Sequence, residues 1–311
     1  MTMNTHLLRD LQKRVLRMRS LPTSPVILKP LLELLRQPSD TIELKSVVEL
    51  VSYEKAIAAQ CLRIANSPLF GRVNATESIS AAVMSLGIRR IEDILLSCCL
   101  QQLIPADKWA IDPGVFWRHS LGCALASRDF ADRIGYIDPD KAYLSGLLHD
   151  LGILVNSYAY KEEYPRVIKE AVETGKPINQ VEQAILGFDH CLSGTLLAQS
   201  WRLPEAVVEV IEWHHEIEDA PQENPLIALV HLSDLLCRLN GLGYGYDEWQ
   251  GIDFAASPAW AVLSKHCPRL GTMDLVRFTL DLEDSLPRIH ELVDSVFAPT
   301  KKQAEATPTK A

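Results

Sequence analysis

The sequence lacks several features that would each define a class of protein. None of its 311 residues falls in an uninterrupted apolar run approaching about 18 residues, so we expect neither a membrane span nor a membrane partner. The N-terminal stretch carries charged residues throughout, which argues against a secretory signal peptide. No convincing alternation of polar and apolar residues predicts a strand, and no repeat of fixed period is present.

The sequence also lacks an excess of basic residues. It contains 31 Lys and Arg against 40 Asp and Glu, which gives a formal net charge of −9. Such a field repels polyanions, so we expect no nucleic-acid partner. The 47% hydrophobic and 23% charged residues are ordinary for a globular protein, and they exclude intrinsic disorder for most of the chain.

Paired cysteine motifs are absent as well. The seven cysteines form no Cys-x-x-Cys pair, and most lie among apolar neighbours. An odd number in such surroundings is typical of buried free thiols in a reducing compartment. We therefore expect a cytoplasmic protein.

What the sequence does contain is helical periodicity from end to end. Apolar residues recur at spacings of three and four, and Pro, Gly and capping residues separate the segments. The predicted helices are 7–19, 26–36, 44–52, 54–65, 78–86, 88–103, 115–134, 139–155, 158–174, 178–187, 191–200, 204–214, 225–240 and 273–297. The fold class is therefore predicted to be all-α and multi-helical. We expect an N-terminal helical part (1–105), a second helical domain (106–245), a C-terminal helical extension (246–298) and a disordered tail (299–311).

Histidines are concentrated in the second half, where six of the nine lie between residues 119 and 231. His149 and Asp150 are adjacent inside an apolar segment. A buried carboxylate must be paired or must bind something, because leaving it unpaired costs several kcal/mol or shifts its pKa. Imidazole nitrogen beside carboxylate oxygen suits Fe, Zn or Mn.

Further ligand types lie on neighbouring predicted helices. His119 begins one helix, and Asp234 is a lone acid in an apolar run. Taken singly, each has an ordinary alternative: His119 as the partner of a backbone carbonyl, Asp234 as an exposed helix residue. His231 is interpreted as a core residue or a support behind the site.

The set as a whole is more specific than its members. A His, a His-Asp pair about 30 residues later and an Asp about 85 residues beyond resemble the H…HD…D pattern of the HD superfamily. Several segments also resemble the HDOD domain, a bacterial signalling variant of that superfamily, over about residues 20–240. They are Leu-Pro-Thr-Ser-Pro at 21–25, the Cys-Leu-Arg-Ile-Ala-Asn-Ser-Pro-Leu-Phe segment at 61–70, residues 78–87, 186–194, Trp-Arg-Leu-Pro at 201–204, and Ile-Glu-Trp-His-His at 211–215. One departure is Ser-Tyr-Glu at 52–54, where the family usually has an Asp-Pro step.

This resemblance implies a metal site and its ligands. The superfamily pattern carries over as His119, His149, Asp150 and Asp234. HDOD domains are similar to the HD-GYP cyclic-dinucleotide phosphodiesterases, whose extra ligands match His190, His214 and His215. The resemblance thus implies one or two divalent ions, with Asp150 bridging two ions and serving as the catalytic group if the protein is an enzyme.

Two departures from the phosphodiesterases favour a different role. Ile153 stands where those enzymes carry a phosphate-contacting Lys. No Gly-Tyr-Pro loop follows Glu216, and we interpret the later pairs Gly243-Tyr244 and Gly245-Tyr246 as coincidence. We therefore expect a regulatory module without catalytic activity that binds metal or a small nucleotide and signals to a protein partner, with the N-terminal helices as the partner surface. The alternatives are a metal-dependent phosphohydrolase and a scaffold without metal.

Overall fold

Helices form all the regular structure in the part of the chain that the computed structural model describes, namely residues 5–18, 25–38, 41–67, 75–103, 110–244 and 256–297. The prediction of an all-α fold is confirmed. The α-helices are α1 (Thr5–Met18), α2 (Leu28–Leu34), α3 (Leu44–Ser52), α4 (Lys55–Ala65), α5 (Ile79–Leu86), α6 (Ile88–Leu103), α7 (Pro113–Ile134), α8 (Pro139–Leu148), α9 (Leu151–Ala159), α10 (Tyr164–Thr174), α11 (Ile178–Leu186), α12 (His190–Ser200), α13 (Glu205–Trp213), α14 (Pro225–Cys237), α15 (Pro258–His266) and α16 (Leu275–Phe297).

The N-terminal helices assemble around α6, which packs against α2, α4 and α5. Local sequence explains how these helices begin and end. The Ser78 hydroxyl accepts a hydrogen bond from the backbone N–H of Ala81 (3.1 Å) and so caps α5. Gly87 has a φ of +87°, which separates α5 from α6 at a conformation that favours glycine.

Two close helix pairs build the second half. The first pair is α7 and α8, which meet where Gly146 faces the backbone carbonyl of Cys123. In the second pair, α9 and α12 approach each other at Gly152 and Gly194. Helix α14 packs on α7 and α8. These contacts bring the ends of α8 and α9 and the bodies of α7, α12 and α14 to one place in the core.

The predicted helix 139–155 is wrong in one important respect, because the structure divides it into α8 and α9. His149 is the C-terminal cap of α8, and Asp150 leaves helical geometry with φ −94° and ψ 20°. Periodicity could not reveal this break, since both sides are equally apolar. The break turns two consecutive side chains toward the same buried space, which a continuous helix would separate by about 100°.

Contacts between the two halves are extensive. Helix α1 packs on α9 and α12, and the Arg14 guanidinium lies over the Tyr160 ring, 4.5 Å from its centroid. Helix α6 packs on α8, and α16 packs on α4. The proposed division into domains stays a prediction. The predicted disordered tail 299–311 lies outside the described residues.

One stretch, Pro225–Leu242, is long and apolar enough to cross a membrane by length and composition, although the sequence suggested none. This stretch comprises α14 and the turn that follows it. Inside the fold, 61% of it is buried, and it carries Asp234 into the protein interior. It is a core helix of this fold, because its apolar residues pack against the neighbouring helices.

Candidate metal centre

Four of the predicted ligands meet in a first cluster formed by α7, the α8–α9 break and α14. The Nε2 atom of His119 lies 3.2 Å from His149 Nε2, 3.2 Å from Asp150 Oδ2 and 3.2 Å from Asp234 Oδ1. His149 Nε2 is also 3.2 Å from Asp150 Oδ2. All four residues are buried, with Asp150 the most exposed at 3%. Two nitrogens and two oxygens therefore surround one small volume.

The other three predicted ligands meet in a second cluster on the opposite side of Asp150. Its Oδ1 atom lies 3.3 Å from His190 Nε2 and 3.5 Å from His214 Nε2. His190 Nε2 is 3.0 Å from His215 Nε2. The two carboxylate oxygens of Asp150 thus face different histidine clusters. The structure brings all seven predicted residues together, and their binding of metal stays a prediction.

The remaining ring nitrogens anchor four of the histidines. Nδ1 of His119 donates to the carbonyl of Leu242 (2.8 Å), and Nδ1 of His149 donates to the carbonyl of Gly146 (2.8 Å). Nδ1 of His190 lies 2.6 Å from Glu182 Oε2. Nδ1 of His214 faces the carbonyls of Val210 and Ile211, at 3.1 Å each. With the proton on Nδ1, each Nε2 lone pair is free to face the shared volume, as in metal-binding histidines.

The arrangement fits a divalent metal ion better than a network of hydrogen bonds. His214 Nε2 is buried and makes no hydrogen bond among the described residues. Several acceptor atoms converge with few protons to share, so a cation satisfies them where hydrogen bonds cannot. Nitrogen and carboxylate oxygen are the donors that Zn, Fe and Mn accept. This buried cluster could hold a metal ion.

The pKa shifts of His119 and Asp150 also indicate that the site favours positive charge. Burial alone would lower the pKa of His119, but hydrogen bonds and charges from Asp150 and Asp234 outweigh burial and raise that pKa to about 10. Burial would raise the pKa of Asp150, yet the surrounding histidines hold it well below its usual range. Metal binding at His119 must therefore displace a proton.

Two thiols lie beside the histidines. Cys123 Sγ is 3.6 Å from His119 Nε2, and Cys191 Sγ is 3.9 Å from His214 Nδ1. Burial would raise the pKa of Cys191, but the charges of His214 and His190 outweigh it and lower that pKa. All seven cysteines are buried and unpaired, which confirms the interpretation of the sequence as carrying free thiols.

Three contributing residues were not identified from the sequence. Glu182 is fully buried and accepts hydrogen bonds from the His190 backbone (2.8 Å), Asn156 (2.9 Å) and Tyr164 (2.8 Å). Arg238 donates to Asp234 Oδ2 (2.7 Å) from one helical turn further on. A buried acid in an amphipathic helix is a weak sequence signal, and α11 presents Glu182 among several other polar residues.

The third overlooked residue is Tyr244, in the segment that we interpreted as a coincidental Gly-Tyr pair. The structure contradicts a purely incidental role, because the Tyr244 hydroxyl donates to Asp150 Oδ2 (2.7 Å). Its ring also packs on His119, with centroids 4.7 Å apart. The second pair, Gly245-Tyr246, lies outside the described residues. His231 donates from Nδ1 to the His214 carbonyl (2.7 Å), which is the supporting position expected of it.

The fold and the site define an all-helical protein with a buried candidate metal centre, in which two histidine clusters share one aspartate. The chain matches the HDOD domain family over residues 21–217, more than half of its length, and it belongs to that family.

Two known proteins are similar to this chain over most of its length. An uncharacterised protein of Treponema pallidum (strain Nichols) is 30% identical over 224 residues, a match that covers 69% of this chain and 42% of that protein. The chain thus spans less than half the length of this curated relative. An HDOD domain protein of unknown function from Geobacter sulfurreducens has a TM-score of 0.77 at 27% identity, covering 94% of this chain and 100% of that one.

More distant structures share the fold alone. A candidate phosphohydrolase from Shewanella amazonensis has a TM-score of 0.68 at 22% identity and covers 94% of this chain and 98% of its own. A candidate signal transduction protein from Marinobacter aquaeolei has a TM-score of 0.69 at 19% identity and covers 94% and 66%. At these identities the two names do not decide between hydrolysis and signalling for this chain.

Proposed function

We propose that this chain is a regulatory HDOD module of bacterial signal transduction that binds one or two divalent ions without turning over a substrate. One observation carries the proposal: six donor residues cluster around Asp150, while Ile153, at the position of the phosphate-contacting lysine in the phosphodiesterases, is fully buried in apolar core. The metal-ligating residues are retained, whereas the lysine that would contact a substrate phosphate is replaced by Ile153. We propose Fe, Zn or Mn as the metal.

The residues that would hold the ions divide between the two clusters. His119, His149 and Asp234 supply donors on the Oδ2 side of Asp150. Bound ions would supply Lewis-acid attraction for a phosphate or carboxylate oxygen. Because the clusters join α7, α8, α12, α13 and α14, metal occupancy would stiffen the contacts between these helices, and this mechanical coupling supports a signalling role.

Metal content and turnover, measured on the same preparation, test this proposal. We expect purified protein loaded with Mn, Fe or Zn to retain about one to two ions per chain and to leave a chromogenic phosphodiester uncleaved. Asp150→Asn should lose metal on both sides, because both of its oxygens face histidines. Asp132→Asn, an exposed acid on α7, is the matched control and should keep its metal. If neither the wild type nor Asp132→Asn retained Mn, Fe or Zn, the result would contradict the proposal.

The alternative function is a metal-dependent phosphohydrolase, and one observation favours it. The division of the Asp150 oxygens between two clusters is the arrangement that a two-metal hydrolase requires. Asp150 would then be the catalytic group that positions both ions. Turnover of the phosphodiester by the wild type that disappears in His149→Ala and Asp150→Asn would establish this alternative and exclude the purely regulatory role.

We propose a small phosphate-bearing nucleotide as the ligand that such ions would attract. Differential scanning fluorimetry of the metal-loaded protein with AMP and with adenosine separates recognition of phosphate from recognition of the base. A rise in melting temperature with AMP alone is expected. Equal rises with both compounds would show that the phosphate is not what the site recognises.

We place the protein partner on the N-terminal helices and the protein in the cytoplasm. Tyr53, at the end of α3, and Met84, on the neighbouring α5, are 67% and 73% exposed, and the placement of both on adjoining helices supports a contact surface. A photo-crosslinking residue at Tyr53 should yield a discrete adduct in cells, while one at the 93% exposed Ile137 should not. Seven unpaired buried thiols support the reducing location.

A further inference from the structure

We infer that Tyr244 is an eighth metal-binding residue, whose phenol oxygen completes the first cluster of His119, His149, Asp150 and Asp234. This inference rests on the metal binding proposed above, and it adds a donor that neither the family motif nor its extra histidines contain. It follows from the contacts of one side chain with two members of that cluster.

The first contact places the phenol oxygen among the donors. The Tyr244 hydroxyl lies 2.7 Å from Asp150 Oδ2. The same carboxylate oxygen is 3.2 Å from Nε2 of both His119 and His149. Neighbouring ligand atoms on one ion with bonds near 2.1 Å are separated by about 3 Å, so the phenol oxygen has the spacing of a ligand.

The second contact fixes the ring. The Tyr244 ring packs against the His119 ring with centroids 4.7 Å apart. Two residues earlier, the Leu242 carbonyl accepts the Nδ1 hydrogen of His119 (2.8 Å). One short stretch of backbone therefore orients His119 and places Tyr244 beside it.

The chain reaches this position through a specific turn after α14. Residues Arg238–Leu242 form a π-helical turn, in which Gly241 adopts a φ of +77°. A left-handed residue reverses the chain so that it passes back over the cluster, and glycine accepts that conformation without strain. Leu242 is 1% exposed and anchors the turn in the core. Tyr244 is thus delivered to the site by ordered backbone.

The added donor changes the chemistry of the first cluster. With Tyr244 the cluster holds three oxygen donors and two nitrogen donors, which favours iron or manganese over a softer ion, and Fe(III) is the spectroscopic probe for this donor set. In binding, the phenol O–H bond breaks, an O–Fe bond forms, and the proton now donated to Asp150 passes to the buffer. No oxidant is needed when the protein is loaded directly with Fe(III).

Spectroscopy of the full-length protein loaded with Fe(III) tests the inference. An iron-bound phenolate absorbs visible light by charge transfer, and resonance excitation of that band enhances tyrosinate ring vibrations. We expect both signals in the wild type and neither in Tyr244→Phe, with iron content measured on each sample. Tyr136→Phe is the matched control and should keep both signals. Tyr136 is a half-buried tyrosine just after the C-terminal end of α7, whereas His119 lies in the first half of that helix.

Two results would overturn the inference while leaving the proposed metal binding intact. One is bound iron without the charge-transfer band in the wild type. The other is a band that survives in Tyr244→Phe. His149→Ala shows whether the iron occupies the first cluster, because this variant should lose the band through loss of the ion. A wild type that binds no iron, manganese or zinc would overturn the proposed function along with this inference.

Discussion

Gly152, two residues after Asp150, holds α9 against α12. Its replacement by alanine is the sharpest test of the packing that builds the site. A Cβ atom at Gly152 would lie 1.8 Å from the backbone carbonyl oxygen of His190 and 2.7 Å from the backbone nitrogen of Gly194. Both obstacles are backbone atoms, which cannot rotate away. Helices α9 and α12 would have to separate by about 1.2 Å before that contact reached even 3.0 Å.

The magnitude follows from two opposing effects. Overpacking of a core costs about 1–3 kcal/mol, and a clash with backbone belongs at the upper end of that range. Alanine is favoured over glycine inside a helix by about 1 kcal/mol, which offsets part of the cost. We therefore expect the free energy of unfolding to fall by about 2 kcal/mol. In a chain of this length this corresponds to a melting temperature lower by about 4 °C.

Gly152→Ala should also weaken metal binding at the second cluster. Separation of α9 from α12 moves Asp150 Oδ1 away from His190 Nε2, now 3.3 Å apart, so the second cluster should lose its ion first. Circular dichroism gives the melting temperature, and chelator competition gives the metal affinity. Gly271→Ala is the control, because nothing lies within 4 Å of its added Cβ. A Gly152→Ala protein with the melting temperature and metal affinity of the control would refute the close approach.

Three further predictions concern Glu182 beside His190, the buried acid Glu92 on α6, and removal of the metal. Glu182→Gln removes the charged acceptor of His190 Nδ1. In isothermal titration, metal binding at the second cluster should weaken about 10- to 100-fold. An unchanged affinity would show that Glu182 does not tune this histidine. Burial raises the pKa of Glu92 to about 7, although the charge of Arg89 opposes this shift. The folded state therefore binds the Glu92 proton more tightly than the unfolded state does. The stability gained from that proton is lost as the pH rises from about 4.5 to 7. Glu92→Gln should therefore show a smaller fall in melting temperature between pH 5 and pH 8 than the wild type, and an equal fall would contradict the assigned origin. A chelator should lower the melting temperature of the wild type but leave that of Asp150→Asn nearly unchanged, since a ligand stabilises only a protein that binds it.

Much of the fold was predictable because helix formation depends on neighbours three and four residues apart. The bounds of α3, α6 and the end of α7 agree with their apolar spacing and capping residues. The division of 139–155 into α8 and α9 was not predictable from spacing. Both segments are apolar on all sides, so periodicity contains no signal for the break between them.

The candidate site was predictable only where the ligands form a spaced motif. His119, His149, Asp150 and Asp234 follow a pattern that can be read along the chain. Tyr244 could not be found that way, because it lies 94 residues from Asp150 and its contact depends on a turn with no metal-binding motif. Glu182 was missed for a similar reason, since a single acid in a helix shows its burial only after the helices pack.

The sequence by itself determined the helical class and the chemical identity of the donors, since both depend on local spacing and residue type. The family resemblance implied that Asp150 bridges two ions, but only the tertiary structure decided how its two oxygens face two different histidine clusters. That division depends on the Gly152–Gly194 contact and on the break at the end of α8, which set distances between atoms far apart in the chain. Periodicity along a chain specifies which face of a helix is apolar, whereas the distance between two faces is set only when the backbones meet.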